Sequence, residues 1–409
     1  MSQLVPALLR PARVQRYRLV GDGPSSVPRP HDAPQGHAPG ENPDRVLVFG
    51  NGIAMGWGVG THELAIPGQL ARALSQRTGR GADVDLLADM RWDVESAASV
   101  LSGDSLGVYD AIVIVMGASD AYRFTSPRKW AEGLVRLIDA FERHTAPLTR
   151  IFVMGIQPVS SIPIYRARPG GETDRWADHL NQLTFAICQG HPRAHFVSPP
   201  ENCLPTTRQG STAAEHRYRS PERFRQWALT MADAMTPHLE MQAAPGSETR
   251  AARDRPQSRD RRLAAIWDAG LDGSPSERRF DEIVARAAQA FGTRGAAFTV
   301  IGGDRQWNKA VAGIDAGPEA SLETSFCRVT IEHSTPLVVQ DAWSDARVPG
   351  EGAPMRFYAG YPVETADGTR IGALCVFDSE PREGEDVDVS MLRELALQIQ
   401  HELGSVPVS

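Results

Sequence analysis

The chain has 409 residues, a length that favours two or three domains, and its 41% hydrophobic and 23% charged content is that of a globular protein. A net charge of −7 at pH 7 gives no electrostatic case for binding nucleic acid or an anionic membrane. No stretch reaches the roughly 18 consecutive apolar residues of a membrane span, and the first residues lack the apolar run and cleavage site of a secretory leader.

The basic residues are nearly all arginine, with Lys129 and Lys309 the only lysines. Together with abundant Ala, Pro and Gly, this usage points to a GC-rich bacterial source. Cys188, Cys203, Cys327 and Cys375 are far apart and form no CxxC pair. That spacing argues against a structural zinc or a disulfide framework and fits a reducing, cytoplasmic location. No metal site is expected.

Residues 1–44 read as a disordered tail, dense in Pro, Gly, Ser, His and Asp from Gly21 to Pro43; residues 4–20 would form either a short helix or a docking strand. From 45 to 240 strands and helices alternate. Strands are predicted at 46–49, 84–87, 111–116, 151–155 and 194–197, and helices at 63–76, 130–141, 174–188 and 221–239. This order implies an α/β unit with a parallel sheet and helices on both faces. Residues 241–258 are polar, lack large apolar side chains over most of their length and read as a linker. In the last segment, 259–409, helices are predicted at 263–269, 280–291 and 389–403, the second capped by Ser274 or Ser276. Strands are predicted at 296–301, 307–311, 337–339, 357–363 and 371–378, with Asp367-Gly368 as a hairpin turn before the last. That pattern is α+β with an antiparallel sheet. The segment is also the acidic one, with 15 Lys and Arg against 24 Asp and Glu.

The first strand, Val46-Leu47-Val48-Phe49, runs into Gly50-Asn51-Gly52 and then Met55-Gly56-Trp57-Gly58-Val59-Gly60. Pro67-Gly68-Gln69-Leu70-Ala71-Arg72-Ala73-Leu74 follows, then Gly117-Ala118-Ser119-Asp120 after the third strand and Ala213-Ala214-Glu215-His216 before the last helix. In order and spacing these blocks resemble the SGNH (GDSL-type) hydrolase family over about 190 residues. The resemblance implies a three-layer α/β fold and an ester-cleaving site with a serine nucleophile, a histidine base, an aspartate and oxyanion donors. At the matching positions stand Gly52 for the serine, Ala213 for the aspartate and Ser119 for the oxyanion asparagine, and no glycine occurs among Asp89-Met90-Arg91. His216 alone is retained. Because triad members act as a unit, losing them removes on the order of 10⁴–10⁶ of the rate. The implied reading is a pseudoenzyme, whose Asn51 and Gly117 could still contact a ligand in a cleft made apolar by Met90, Trp92 and Met116. The alternative is a hydrolase with an atypical site in which Asp120 and His216 activate water. The plainer role for Asp120 is to cap the segment that follows it.

Residues 259–409 carry Gly303-Asp304-Arg305-Gln306-Trp307-Asn308-Lys309, Ser325-Phe326-Cys327, Pro336 to Ala342, Arg356-Phe357-Tyr358-Ala359-Gly360-Tyr361-Pro362 and Ile371 to Asp378. These blocks resemble the GAF domain family, whose members sense small molecules or light, or dimerise. The resemblance implies a ligand pocket lined by Trp307, Phe326, Cys327, Asp341 and Tyr358, although aromatic residues in a small sheet are more often core. Cys375, in an apolar strand, reads as inert core. No cofactor is assigned. The expected protein is a sensory or regulatory one that binds a small molecule or a signalling partner, with flanking helices able to mediate a homodimer. A scaffold with two docking surfaces is the third reading.

Overall fold

A computed structural model describes residues 28–32, 34–40, 42–101, 106–200, 220–244, 258–314, 317–333, 335–349, 355–365, 368–382 and 387–404. The chain divides into two compact units, residues 1–249 and 250–409. Most of the expected linker lies outside the described residues, as do Ala213 and His216.

The first unit has a six-stranded sheet in the order β1-β3-β2-β4-β5-β6. Its strands are β1 (Gln35–Ala38), β2 (Asp44–Gly50), β3 (Ala82–Ala88), β4 (Ala111–Val115), β5 (Arg150–Met154) and β6 (Ala194–Val197). From β3 through β6 every neighbouring pair is parallel. β2 shows why the sheet is covered on both sides, because its side chains alternate between two cores. Val46 and Val48 pack with the helices Ile66–Thr78 and Pro221–Ala243. Leu47 and Phe49 pack with Pro127–His144 and Glu172–Gln189. The result is the expected three-layer α/β architecture.

Helix ends follow local chemistry. Ser126 caps Pro127–His144 by accepting from the Lys129 N–H, with Pro127 at the first helical position. Ile66–Thr78 begins three residues after the expected start and ends at Gly79, whose φ of 68° suits a left-handed cap.

The tail reading is corrected at its C-terminal end. Gln35–Ala38 forms an edge strand antiparallel to β3, and β2 already begins at Asp44. Gly36 permits this, because a Cβ there would lie 2.2 Å from the Gly68 nitrogen. A short edge strand rich in Gly and polar residues carries little periodic signal.

The second unit is a six-stranded antiparallel sheet in the order β10-β11-β12-β7-β8-β9. Its strands are β7 (Gly295–Ile301), β8 (Arg305–Ala312), β9 (Glu319–Ser321), β10 (Leu337–Val339), β11 (Phe357–Glu364) and β12 (Arg370–Asp378). The β11–β12 connection turns where expected, with Gly368 at φ 74° and the Thr365 N–H donating to the Thr369 carbonyl. One face carries the helices Arg259–Asp268, Arg278–Phe291 and Val389–Gly404 over a core that includes Phe280, Phe298, Leu374 and Ile399. The other is covered by the short helix Phe326–Thr330 and its flanking loops over Ile301, Val339, Tyr358 and Cys375. β9 and the helices Ala118–Tyr122 and Phe326–Thr330, each five residues or fewer, were not expected from the sequence.

Lys309, on β8, is buried, and its ammonium meets the Glu277 carboxylate at 2.7 Å, Ser274 Oγ at 2.6 Å and the Pro275 carbonyl at 2.5 Å. All three ammonium donors are therefore used, which offsets the desolvation of the charge. Burial pushes the Glu277 carboxyl up, but Lys309 and Arg279 outweigh it and hold the group below the usual range.

Candidate functional site

In the first unit the chain passes from β2 to β3 on one side and then crosses to β4 on the other. This reversal makes the C-terminal ends of β2 and β4 the topological switch point, where open α/β sheets bind ligands. Gly50 brings the two strands together there: its φ is 149°, and a Cβ would lie 1.9 Å from the Val115 carbonyl oxygen. The Asn51 backbone N–H donates to that oxygen at 2.9 Å. Asn51 Nδ2 donates to the Trp92 carbonyl at 2.8 Å, and the Trp92 ring stacks on Phe49 with centroids 5.0 Å apart.

Gly52 follows at φ 62°, and no atom lies within 4 Å of where its Cβ would be. A side chain at position 52 would therefore have open space around it. Across the crevice Gly117, at φ 109°, leads into Ser119 and Asp120, both buried. Ser119 Oγ has no hydrogen-bond partner among the described residues. Asp120 Oδ1 accepts from Thr125 Oγ1 at 2.9 Å and from Arg123 at 3.3 Å, and Arg123 also reaches Asp93 at 3.3 Å. Burial pushes the Asp120 carboxyl up to about 6, with the Asp93 charge adding to the rise, while Arg123, Thr125 and the Val94 backbone oppose it. The Asp120 carbonyl also accepts from the Thr125 N–H at 2.9 Å, while the cap of the helix that follows is Ser126.

Sequence reasoning missed Asp93, Arg123 and Thr125. Arg123 stands three residues after Asp120, a helical spacing that signals a pair, but nothing in the sequence ties Asp93 to either.

The five GAF-unit residues named from the sequence do not form one pocket. Phe326, Cys327 and Tyr358 come together and are buried in the core beneath the Phe326–Thr330 helix. Phe326 and Tyr358 meet edge to face at 5.3 Å, and Tyr358 Oη lies 2.7 Å from Thr330 Oγ1. Gly360 leaves room for that hydroxyl, since a Cβ there would lie 2.2 Å from it. Trp307 is placed on the opposite face of the sheet, against the helix-side core, because its neighbour Gln306 takes the inward position and bonds Ser325. Asp341 lies at the surface, accepting from Arg356 Nε at 3.0 Å, and this bond holds its carboxyl below the usual range. The Arg356 guanidinium also covers the exposed Trp343 ring at 4.4 Å. Asp341 borders an open depression of about 460 Å³ with Val338, Gln340, Ser344, Asp345 and Arg347.

Both GAF-unit cysteines are buried in the same core. Cys327 and Cys375, 48 residues apart, have their sulfurs 3.7 Å from each other. No helix among the described residues is long and apolar enough to cross a membrane.

Residues 275–403 match the GAF domain family, and the C-terminal unit is a GAF domain. A cyclic di-GMP phosphodiesterase of Pseudomonas aeruginosa is 35% identical over 147 residues, 34% of this chain; the chain spans about 25% of that relative's length. A GAF domain of an Acinetobacter phosphoenolpyruvate-protein phosphotransferase is 15% identical, covering 35% of this chain and 93% of its own at a TM-score of 0.27. A free methionine-R-sulfoxide reductase of Neisseria meningitidis is 17% identical, covering 34% of this chain and 86% of its own at a TM-score of 0.28. TesA is 15% identical, covering 48% of this chain and 99% of its own at a TM-score of 0.36.

Proposed function

We propose that this chain is a sensory or regulatory protein in which a ligand-binding GAF domain is joined to an SGNH-like unit that no longer cleaves esters. The observation that carries the second half is Gly52: the turn after β2 has the space a nucleophile would occupy and no side chain to fill it. The replacement of the orienting aspartate by Ala213 supports the same reading. The first half rests on the GAF domain at 275–403. The likeness to a cyclic di-GMP phosphodiesterase fits a signalling role, and its partial span leaves the phosphodiesterase chemistry with that relative. The ligand is taken to be small and polar, because Gln340, Asp341, Ser344, Asp345 and Arg347 border the depression on this unit. Asn51 and Gly117 would line a residual cleft in the first unit. A cytoplasmic location and a signalling partner belong to the same reading.

The second reading, water activation by Asp120 and His216, draws support from the Asp120 carboxyl standing near 6, close to what a general base needs. Against it, Asp120 is 1% exposed and bound to Thr125 and Arg123. Native mass spectrometry of the chain purified from its own host tests the proposal. A small molecule retained by the intact chain and lost in the Asp341→Ala/Arg347→Ala variant is expected. Ester turnover that disappears in His216→Ala would overturn it in favour of the second reading.

A further inference from the structure

We propose that Cys327 and Cys375 are a peroxide-responsive thiol pair inside the GAF core, oxidised to an intramolecular disulfide that locks the Phe326–Thr330 helix onto the sheet. This goes beyond ligand sensing and does not depend on it.

Cys327 lies in the first turn of that short helix, and Cys375 lies on β12 between β11 and β7. Their sulfurs are 3.7 Å apart, against about 2.05 Å in a disulfide. β12 is fixed by a strand on each side. The gap must therefore close from the helix side, through the Cys327 rotamer and a small shift of a five-residue helix.

The surroundings differentiate the two thiols. The Cys375 thiol donating to Cys327 is the main influence holding Cys327 below the usual range, aided by the Thr299 and Tyr358 hydroxyls and opposed by burial. Tyr358 Oη lies 3.4 Å from Cys327 Sγ and 2.7 Å from Thr330 Oγ1, so a hydroxyl relay can donate to a Cys327 thiolate. The same Cys327 partner, and then burial, pushes Cys375 well up. Cys327 is thus the attacking sulfur and Cys375 the resolving one.

The oxidant is hydrogen peroxide. The Cys327 thiolate attacks one peroxide oxygen, the O–O bond breaks, and the departing hydroxide takes the proton released by Cys327 to leave as water. Cys327 is then a sulfenic acid. The Cys375 sulfur attacks the Cys327 sulfur, the S–O bond breaks, and the hydroxyl leaves as a second water with the Cys375 proton. Two thiols lose two hydrogens and one peroxide is reduced. The cysteines are only 4% and 3% exposed, which admits an oxidant close to water in size and excludes a bulky disulfide such as oxidised glutathione.

The test is thiol mapping on the full chain. After exposure to hydrogen peroxide, free thiols are alkylated under denaturing conditions and peptides are mapped without reduction. The expected result is a peptide joining Cys327 to Cys375, reversed by a thiol reductant, and a rise of several degrees in the unfolding midpoint. Oxidised glutathione should leave both thiols free. In Cys375→Ala, Cys327 should stop at a sulfenic acid that dimedone traps. If that variant fails to fold, the wild-type map decides alone. Cys327 and Cys375 remaining alkylatable while Cys188 or Cys203 is oxidised, separate sulfinic acids at 327 and 375, or equal reaction with oxidised glutathione would each overturn the proposal.

Discussion

The Asn51 side-chain amide donates to the Trp92 carbonyl at 2.8 Å, while its backbone N–H donates to the Val115 carbonyl at 2.9 Å. One residue thus ties the end of β2 both to the segment after β3 and to the end of β4. These two bonds fix the turn that leads into Gly52.

Placing a hydroxyl at position 52 should not create esterase activity. Gly52→Ser has space for the side chain, and its positive φ costs about 1–2 kcal/mol, so the variant should fold. Its hydrolysis of p-nitrophenyl acetate is expected to stay at the buffer background, because Ala213 cannot orient a histidine.

Gly50 is a different case. A methyl group there would sit 1.9 Å from the Val115 oxygen at a φ of 149°. Gly50→Ala should lose at least about 3 kcal/mol in urea unfolding, since the two central strands must separate to admit it.

The layers and most elements were legible because their signals are local. The five-residue strand Ala111–Val115 is wholly apolar, and Pro127–His144 has a serine cap, a proline at its first position and a regular apolar stripe. Gln35–Ala38 was illegible because it is stabilised by pairing with β3 across 44 to 50 residues, not by its own pattern. The turn after β2 was legible from its Gly50-Asn51-Gly52 run, where Gly50 and Gly52 both take a positive φ. The Asp93–Arg123–Asp120 cluster was not, since Asp93 reaches Arg123 across 30 residues. Likewise, strand alternation puts Cys375 on one face with Ala373 and Phe377, but only the fold brings Cys327 over that face.

Asp120 predicts a pH dependence. Its carboxyl is raised from 3.8 to about 6 by burial, so the folded state binds the proton more tightly than the unfolded state. The stabilisation from this group is complete below the unfolded value and is lost as pH rises through about 6; it amounts to about 3 kcal/mol. Urea unfolding of Asp120→Asn from pH 4 to 7.5 should show that this fall has gone.

Lys309 anchors the loop before the helix Arg278–Phe291 to β8. Lys309→Met keeps the apolar stem but leaves Glu277, Ser274 Oγ and the Pro275 carbonyl without the ammonium. Glu277 is 35% exposed at its side chain and regains water, which limits the loss to about 2–3 kcal/mol, measurable as a lower urea midpoint.

The proposed function requires that the first unit carry no working nucleophile. The most direct measurement is fluorophosphonate labelling of the intact chain, read by peptide mass mapping alongside p-nitrophenyl ester hydrolysis. No labelled serine is expected, Ser119 included, and hydrolysis should stay at background. Stoichiometric labelling of one serine, with turnover abolished in His216→Ala, would contradict it.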